Sequence, residues 1–109
     1  MAAIIRATTP KITFKFKTVD VDDIAKTVLT IKQNGTTVVE RDETTMTTDS
    51  DDATISWILT QEETLSLMPK RKAEAVCDWV LTDGTRGRSF IAEYGTEDPG
   101  KDEVISVGG

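Results

Sequence analysis

The sequence predicts an all-β domain: an immunoglobulin-like antiparallel β-sandwich of six to eight short strands, with one helical turn near residues 60–65. Two hairpin signals, Gln33-Asn34-Gly35-Thr36 and Thr82-Asp83-Gly84-Thr85, stand between β-rich segments. Asn-Gly and Asp-Gly favour type I′ turns, whose two central residues need positive φ and whose twist matches that of the flanking strands. Apolar and polar residues alternate through residues 11–17, 54–60 and 73–81, the period of a half-buried strand. Threonine is abundant, which suits strands and turns rather than helices. The Cys–Trp–Cys signature of antibody domains is absent, so the architecture alone is implied.

Residues 1–10 read as an irregular lead-in closed by Thr8, Thr9 and Pro10. Proline lacks a donor and fits the first residue of an edge strand. Ile12, Phe14 and Phe16 then alternate with Lys11, Thr13, Lys15 and Lys17, giving an outer face whose lysines guard an edge against mispairing. A polar connection follows, with one turn of helix around Asp22 to Ala25. Residues 27–33 and 36–41 form the first hairpin. A two-residue loop sets Gln33 opposite Thr36, Ile31 opposite Val38 and Leu29 opposite Glu40. Ile31 and Val38 are therefore read as inward. Leu29 is inward too, so either Glu40 sits at the sheet's end or a bulge intervenes.

Residues 42–52 are rich in Thr, Asp and Ser and read as a loop, with a short strand through Thr45, Met46 and Thr47. Ile55, Trp57 and Leu59 share one face of the next strand. Thr60-Gln61-Glu62-Glu63 is a capping-box pattern, opening a helical turn that sets Leu65 and Leu67 over the end of the core. After the basic turn at residues 68–72, the strand 73–81 puts Ala75, Cys77 and Trp79 on one face. Val76 and Val80 on its other face mark a central strand or one covered by a partner. Residues 89–94 make the return strand.

The chain of 109 residues fits one domain over residues 1–109, with a core at about 4–94 and a flexible acidic, glycine-containing tail at 95–109. A chain of this length buries roughly two-thirds of its unfolded surface, enough for one core without staples. A net charge of −6 disfavours nucleic acid and anionic membranes as partners. No apolar run is long enough to span a bilayer, and the first six residues do not read as a signal peptide. The single cysteine, Cys77, makes no internal disulfide, which fits a reducing cytoplasm. The chain has no histidine, and so lacks the commonest general acid/base and the commonest zinc ligand.

No residue set rises to a catalytic, cofactor or metal site. Asp49-Ser50-Asp51-Asp52 offers hard oxygens for calcium but lacks the glycine and distal glutamate of an EF-hand loop. It reads as a solvated loop, as do Asp20, Asp22 and Asp23. Lys70, Arg71 and Lys72 lie about seven to ten residues of strand from Arg86 and Arg88, more than about 20 Å at about 3.3 Å per residue. The spacing therefore disfavours one phosphate-binding cluster, and pairing with acidic neighbours or an acidic partner chain is the better reading. Cys77 alternates into the core, where a free thiol behaves as a small hydrophobe. Trp57 and Trp79 also alternate inward, as core packing rather than a platform for sugars. No nucleophile–base pair can be assembled, so the chain is not read as an enzyme.

In order, the chain has a proline-led first strand (Arg6 to Phe14), an Asn-Gly hairpin ending in Val38, Val39 and Glu40, and the run Leu59-Thr-Gln-Glu-Glu-Thr-Leu65-Ser-Leu67. A Lys/Arg-rich turn, a strand ending Leu81-Thr-Asp-Gly84, and Ser89-x-Ile91 follow. This layout resembles the small β-sandwich proteins encoded among prophage tail genes of Gram-positive bacteria. It is similar to the amino-terminal domain of phage baseplate upper proteins. The resemblance covers about residues 4–94, and the Leu59–Leu67 run with the Thr-Asp-Gly strand is its most specific part. Two departures are Pro69 before the basic run, where the family has glycine, and the outward Val76 and Val80.

The resemblance implies a non-enzymatic structural component of a phage tail or baseplate, with no catalytic residues to carry over. Its place would be the virion, after synthesis in the bacterial cytoplasm. Its partners would be neighbouring tail or baseplate proteins, or further copies of the chain, met by strand edges, apolar patches and opposite charges. The expected contact residues are Lys11, Lys15, Lys17, Val76, Val80, Arg86 and Arg88. The rival reading is a carbohydrate- or receptor-binding module at the tail tip, which requires an exposed tryptophan.

Overall fold

The structure, a computed structural model, describes residues 2–101 and 103–106. Nine strands form two sheets: β1 (Ala2–Ile5), β2 (Lys11–Lys15), β3 (Ile24–Gln33), β4 (Thr36–Asp42), β5 (Thr47–Asp49), β6 (Thr54–Ile58), β7 (Ala73–Leu81), β8 (Arg86–Arg88) and β9 (Ala92–Glu97). The larger sheet runs β1-β9-β7-β3-β4, with β8 beside β7, and the smaller runs β2-β6-β5. One short helix, α1 (Gln61–Leu65), follows β6. The fold is all-β and sandwich-like.

The core forms where the two alternating patterns meet. Leu29 and Ile31 of β3, Val39 of β4, and Ala73, Ala75 and Cys77 of β7 are buried in the larger sheet. Ile12, Phe14, Ile55 and Trp57 supply the smaller one. Phe14 and Trp57 meet edge to face, with ring centroids 6.2 Å apart, a geometry that adds about 0.5–1.5 kcal/mol beyond burial. The Trp57 indole donates to the Asp42 carbonyl at 3.0 Å, so its one polar atom is satisfied. Strand β7 is central, paired with β3 on one side and with β8 and β9 on the other. As an edge strand, β2 turns Lys11 and Lys15 outward.

The capping box forms: the Glu63 N–H donates to the Thr60 hydroxyl at 3.1 Å, and the Thr60 N–H donates to the Glu63 carboxylate at 2.8 Å. Leu67 is buried, whereas Leu65 is only partly so and Thr64 takes the inward position. Two arginines hold this helix from either side. Arg41 makes a two-point pair with Glu63 at 2.8 and 3.0 Å and also donates to the Ile58 carbonyl. Arg6 donates to the carbonyls of Leu67 and Leu65, which the helix leaves without partners.

Several elements depart from the sequence reading. Residues 2–5 of the supposed lead-in are β1, which pairs parallel with β9, so the larger sheet is mixed rather than antiparallel. Its Ile4 is buried. In the first hairpin the predicted type I′ residues hold, with φ of 52° at Asn34 and 77° at Gly35. A bulge then sets Ile31 opposite Val39 and Leu29 opposite Arg41. Val39 is the buried residue, and Val38, the extra one, is partly buried.

The second turn is not type I′. Only Gly84 has positive φ there; its N–H donates to the Leu81 carbonyl, and the Leu81 N–H donates to the Thr85 carbonyl. That is a three-residue loop with glycine at the left-handed position. The Asp83 carboxylate accepts from the Thr85 N–H and so holds the tight turn without positive φ at residue 83. The return strand is also broken: β8 and β9 are separated at residues 89–91. The Ser89 hydroxyl takes the Cys77 N–H at 3.0 Å where a backbone carbonyl would otherwise sit.

The tail is partly structured. Strand β9 continues to Glu97, and the Gln61 side chain brackets Ile105 by accepting from its N–H and donating to its carbonyl. The expected fraying at residues 107–109 lies outside the described residues.

The Trp79 indole lies across Gly87, its cross-strand partner. A Cβ at residue 87 would stand 2.1 Å from the ring. Gly87→Ala is therefore expected to displace the indole and cost about 1–3 kcal/mol. Urea unfolding with tryptophan emission as readout checks both effects.

Candidate interaction surface

The structure divides the seven sequence-predicted contact residues between two surfaces. Lys11 and Lys15 project from the exposed face of β2, and Lys17 is exposed just beyond its end. Val76, Val80, Arg86 and Arg88 lie together on the outer face of the larger sheet, through the pairs Val80↔Arg86 and Asp78↔Arg88. The two sets occupy different sheets and do not form one site.

The outer face follows from the alternation that builds the core. With Thr27, Leu29, Ile31 and Gln33 turned inward on β3, Lys26, Val28, Thr30 and Lys32 must face out. On β7 the outward residues are Glu74, Val76, Asp78 and Val80. Register then arranges the charges in columns along the strands. Arg86 and Arg88 of β8 are the first, and Glu74 and Asp78 of β7 the second. Lys26 and Lys32 of β3 are the third, and Glu40 and Asp42 of β4 the fourth.

From β8 to β4 the signs alternate from column to column, so those neighbouring strands attract, whereas Glu93 of β9 stands opposite Glu74, carboxylate against carboxylate. Arg86 and Asp78 are 3.9 Å apart. Lys72 and Glu93 pair at 3.6 Å where β9 extends the first column. Among these charges lie Val28, Val76 and Val80, with Ile91 beside them, and Phe90 is exposed at the same break between β8 and β9. Phe90 is 72% exposed and Ile91 47%. Two shallow grooves mark the face, one of about 290 Å³ over Val28, Val80 and Arg86, the other of about 370 Å³ over Val76, Arg88 and Ile91. The sequence singled out Val76 and Val80 by alternation on one strand. Val28 and Ile91 were missed, because what brings them to this face is the pairing of β3 with β7 and the break at residues 89–91.

The other candidates resolve on inspection of their surroundings. Trp57 is 1% exposed. Trp79 is half-buried, with its ring against Gly87 and edge to face with Phe16 at 6.3 Å. The two acidic segments do approach each other, since the Ser50 hydroxyl donates to the Asp22 carboxylate at 2.7 Å. Asp49 instead accepts the N–H groups of Asp51 and Asp52 within its own turn. Among the described residues no group of three or more acidic or cysteine side chains is placed to hold a metal ion. The basic turn is anchored from inside: Gln33 donates to the Met68 carbonyl and accepts its N–H, and the Thr96 hydroxyl lies 2.6 Å from the carbonyls of Met68 and Arg71.

Cys77 is fully buried, and its thiol is pushed up to about 12, chiefly by desolvation and secondarily by the neighbouring Asp78 charge. No protein-family profile matches this chain, and no curated protein matches it significantly.

A buried neutral thiol should resist alkylation in the native state at pH 8 and react once the chain unfolds. Between its ordinary value of 9.0 and about 12 the unfolded chain releases this proton while the folded chain keeps it. Stability should therefore fall as pH rises through that window, by up to about 1.4 kcal/mol per pH unit from this group. Denaturant midpoints of wild type and Cys77→Ala across pH 8–11 check the sign, because the variant lacks that contribution.

Proposed function

We propose that this chain is a non-enzymatic docking module and, from the resemblance over residues 4–94, a structural component of a phage or prophage tail or baseplate. The observation that supports it best is the outer face of the larger sheet. There β7, the central strand, presents Val76 and Val80 between charged columns, beside exposed Ile91. Apolar residues within a charged surround suit protein–protein contact, in which the apolar centre supplies affinity and the charges set register. The buried Cys77 thiol, the chain's one thiol, speaks against nucleophilic chemistry there.

A carbohydrate-binding role would need an exposed tryptophan. Trp57 is enclosed in the core and the ring of Trp79 is taken up by Gly87 and Phe16. The docking reading is therefore preferred.

Purified particles from an induced lysogen, analysed by mass spectrometry, test the role directly. The chain is expected in the particle at a fixed ratio to the tail proteins, and its absence from washed virions would overturn the assignment.

A further inference from the structure

We propose that the outer face of the larger sheet docks a second copy of this chain, face to face, about a two-fold axis parallel to the strands. The inference rests on the docking reading of that face and adds what occupies it. The argument is one of charge complementarity. Read across the sheet from β8 to β4, the columns run positive, negative, positive, negative.

Two in-plane two-fold axes bring such a face onto itself. An axis perpendicular to the strands lays every column on its own copy, the β7 carboxylates on the partner's β7 carboxylates and the β3 lysines on the partner's β3 lysines. These seams are then repulsive. An axis parallel to the strands reverses the order of the columns in the partner. Residues keep their level along the strands, so Arg88 then lies over the partner's Asp42 and Glu74 over the partner's Lys32. Both contacts are attractive, and each occurs twice, as an isologous contact requires. Within the same dimer, the Val76 and Val28 region at the centre is covered by the corresponding region of the partner.

The size of the face sets the strength. Four strands about 4.8 Å apart and about eight residues long outline roughly 500 Å² a side. A standard stable interface takes about 800 Å² from each partner, so the dimer is expected to be weak and reversible, forming at about 10 µM to 1 mM. Because opposite charges guide it, salt should oppose it.

Sedimentation equilibrium of the full chain tests this. The weight-average mass should climb from 12.0 kDa towards twice that value with concentration, and less steeply at high salt. A mass that stays at one chain up to about 1 mM overturns the proposal, while leaving open whether the protein is found in virions. Charge reversal then tests the axis. Arg86→Glu/Arg88→Glu and Glu40→Lys/Asp42→Lys should each stay monomeric alone, whereas an equimolar mixture should form heterodimers. A mixture no more associated than its parts overturns it. A second pair of variants makes no change of sign: Arg88→Cys and Asp42→Cys, kept apart, should form little disulfide-linked dimer, and mixed they should cross-link to each other. Efficient 88-to-88 cross-linking would indicate the perpendicular axis and overturn the arrangement.

Discussion

The antiparallel ladder between β3 and β7 is the constraint from which the rest of the structure follows. It joins Lys26–Lys32 to Val80–Glu74 in continuous register, with Leu29 opposite Cys77 and Ile31 opposite Ala75. Because side chains alternate across a sheet, fixing these inward pairs leaves no freedom for the others. Thr30 must stand outward opposite Val76, and Val28 opposite Asp78. A slip of one residue would bury Lys32 and Glu74 and expose Leu29 and Cys77. Core and outer surface are thus two readings of one register.

The ladder is held in a sandwich by polar closures at its margins. Gln33, at the inner end of β3, is almost fully buried and spends both ends of its amide on the 68–71 turn. Replacing it with an apolar residue would leave the Met68 N–H without its protein partner, a loss of about 1–3 kcal/mol where that group is shut away from water. Arg41 joins the edge of the larger sheet to the start of α1, and Arg6 covers the helix's far end. Among the described residues no buried side-chain nitrogen or oxygen lacks a hydrogen-bond partner. The polar groups drawn inside tie loops to strands.

What remains for function lies on the outside. The smaller sheet shows lysines on β2, a pattern that protects an edge. The larger sheet shows valines, two arginines and alternating acidic and basic columns. At the break at residues 89–91, where the Ser89 hydroxyl substitutes for a carbonyl in the ladder, Ile91 joins that surface beside Val76 and Arg88. In the proposed docking role such a surface would meet another protein surface, with the charges setting relative orientation.

The strong local patterns were legible in the sequence. Strict alternation placed Ile12, Phe14, Ile55, Trp57, Ala75 and Cys77 inside, and the Thr60/Glu63 spacing marked the helix start, because each rests on contacts between near neighbours. The Asn34-Gly35 turn was legible for the same reason. Tertiary structure alone decided the rest. Strand β1 pairs with β9, about ninety residues later in the chain, a partnership that no local period records. Val39 rather than Val38 is buried because a bulge, made only by pairing with β3, shifts the register. The type of the second turn depended on where Leu81 found its partner. The contact residues were named one strand at a time, and only the packed sheet separates Lys11, Lys15 and Lys17 from Val76, Val80, Arg86 and Arg88. The sequence by itself determined which residues of each strand share a face. Which strands lie side by side, and so which charges and apolar groups make a common surface, was decided by long-range pairing.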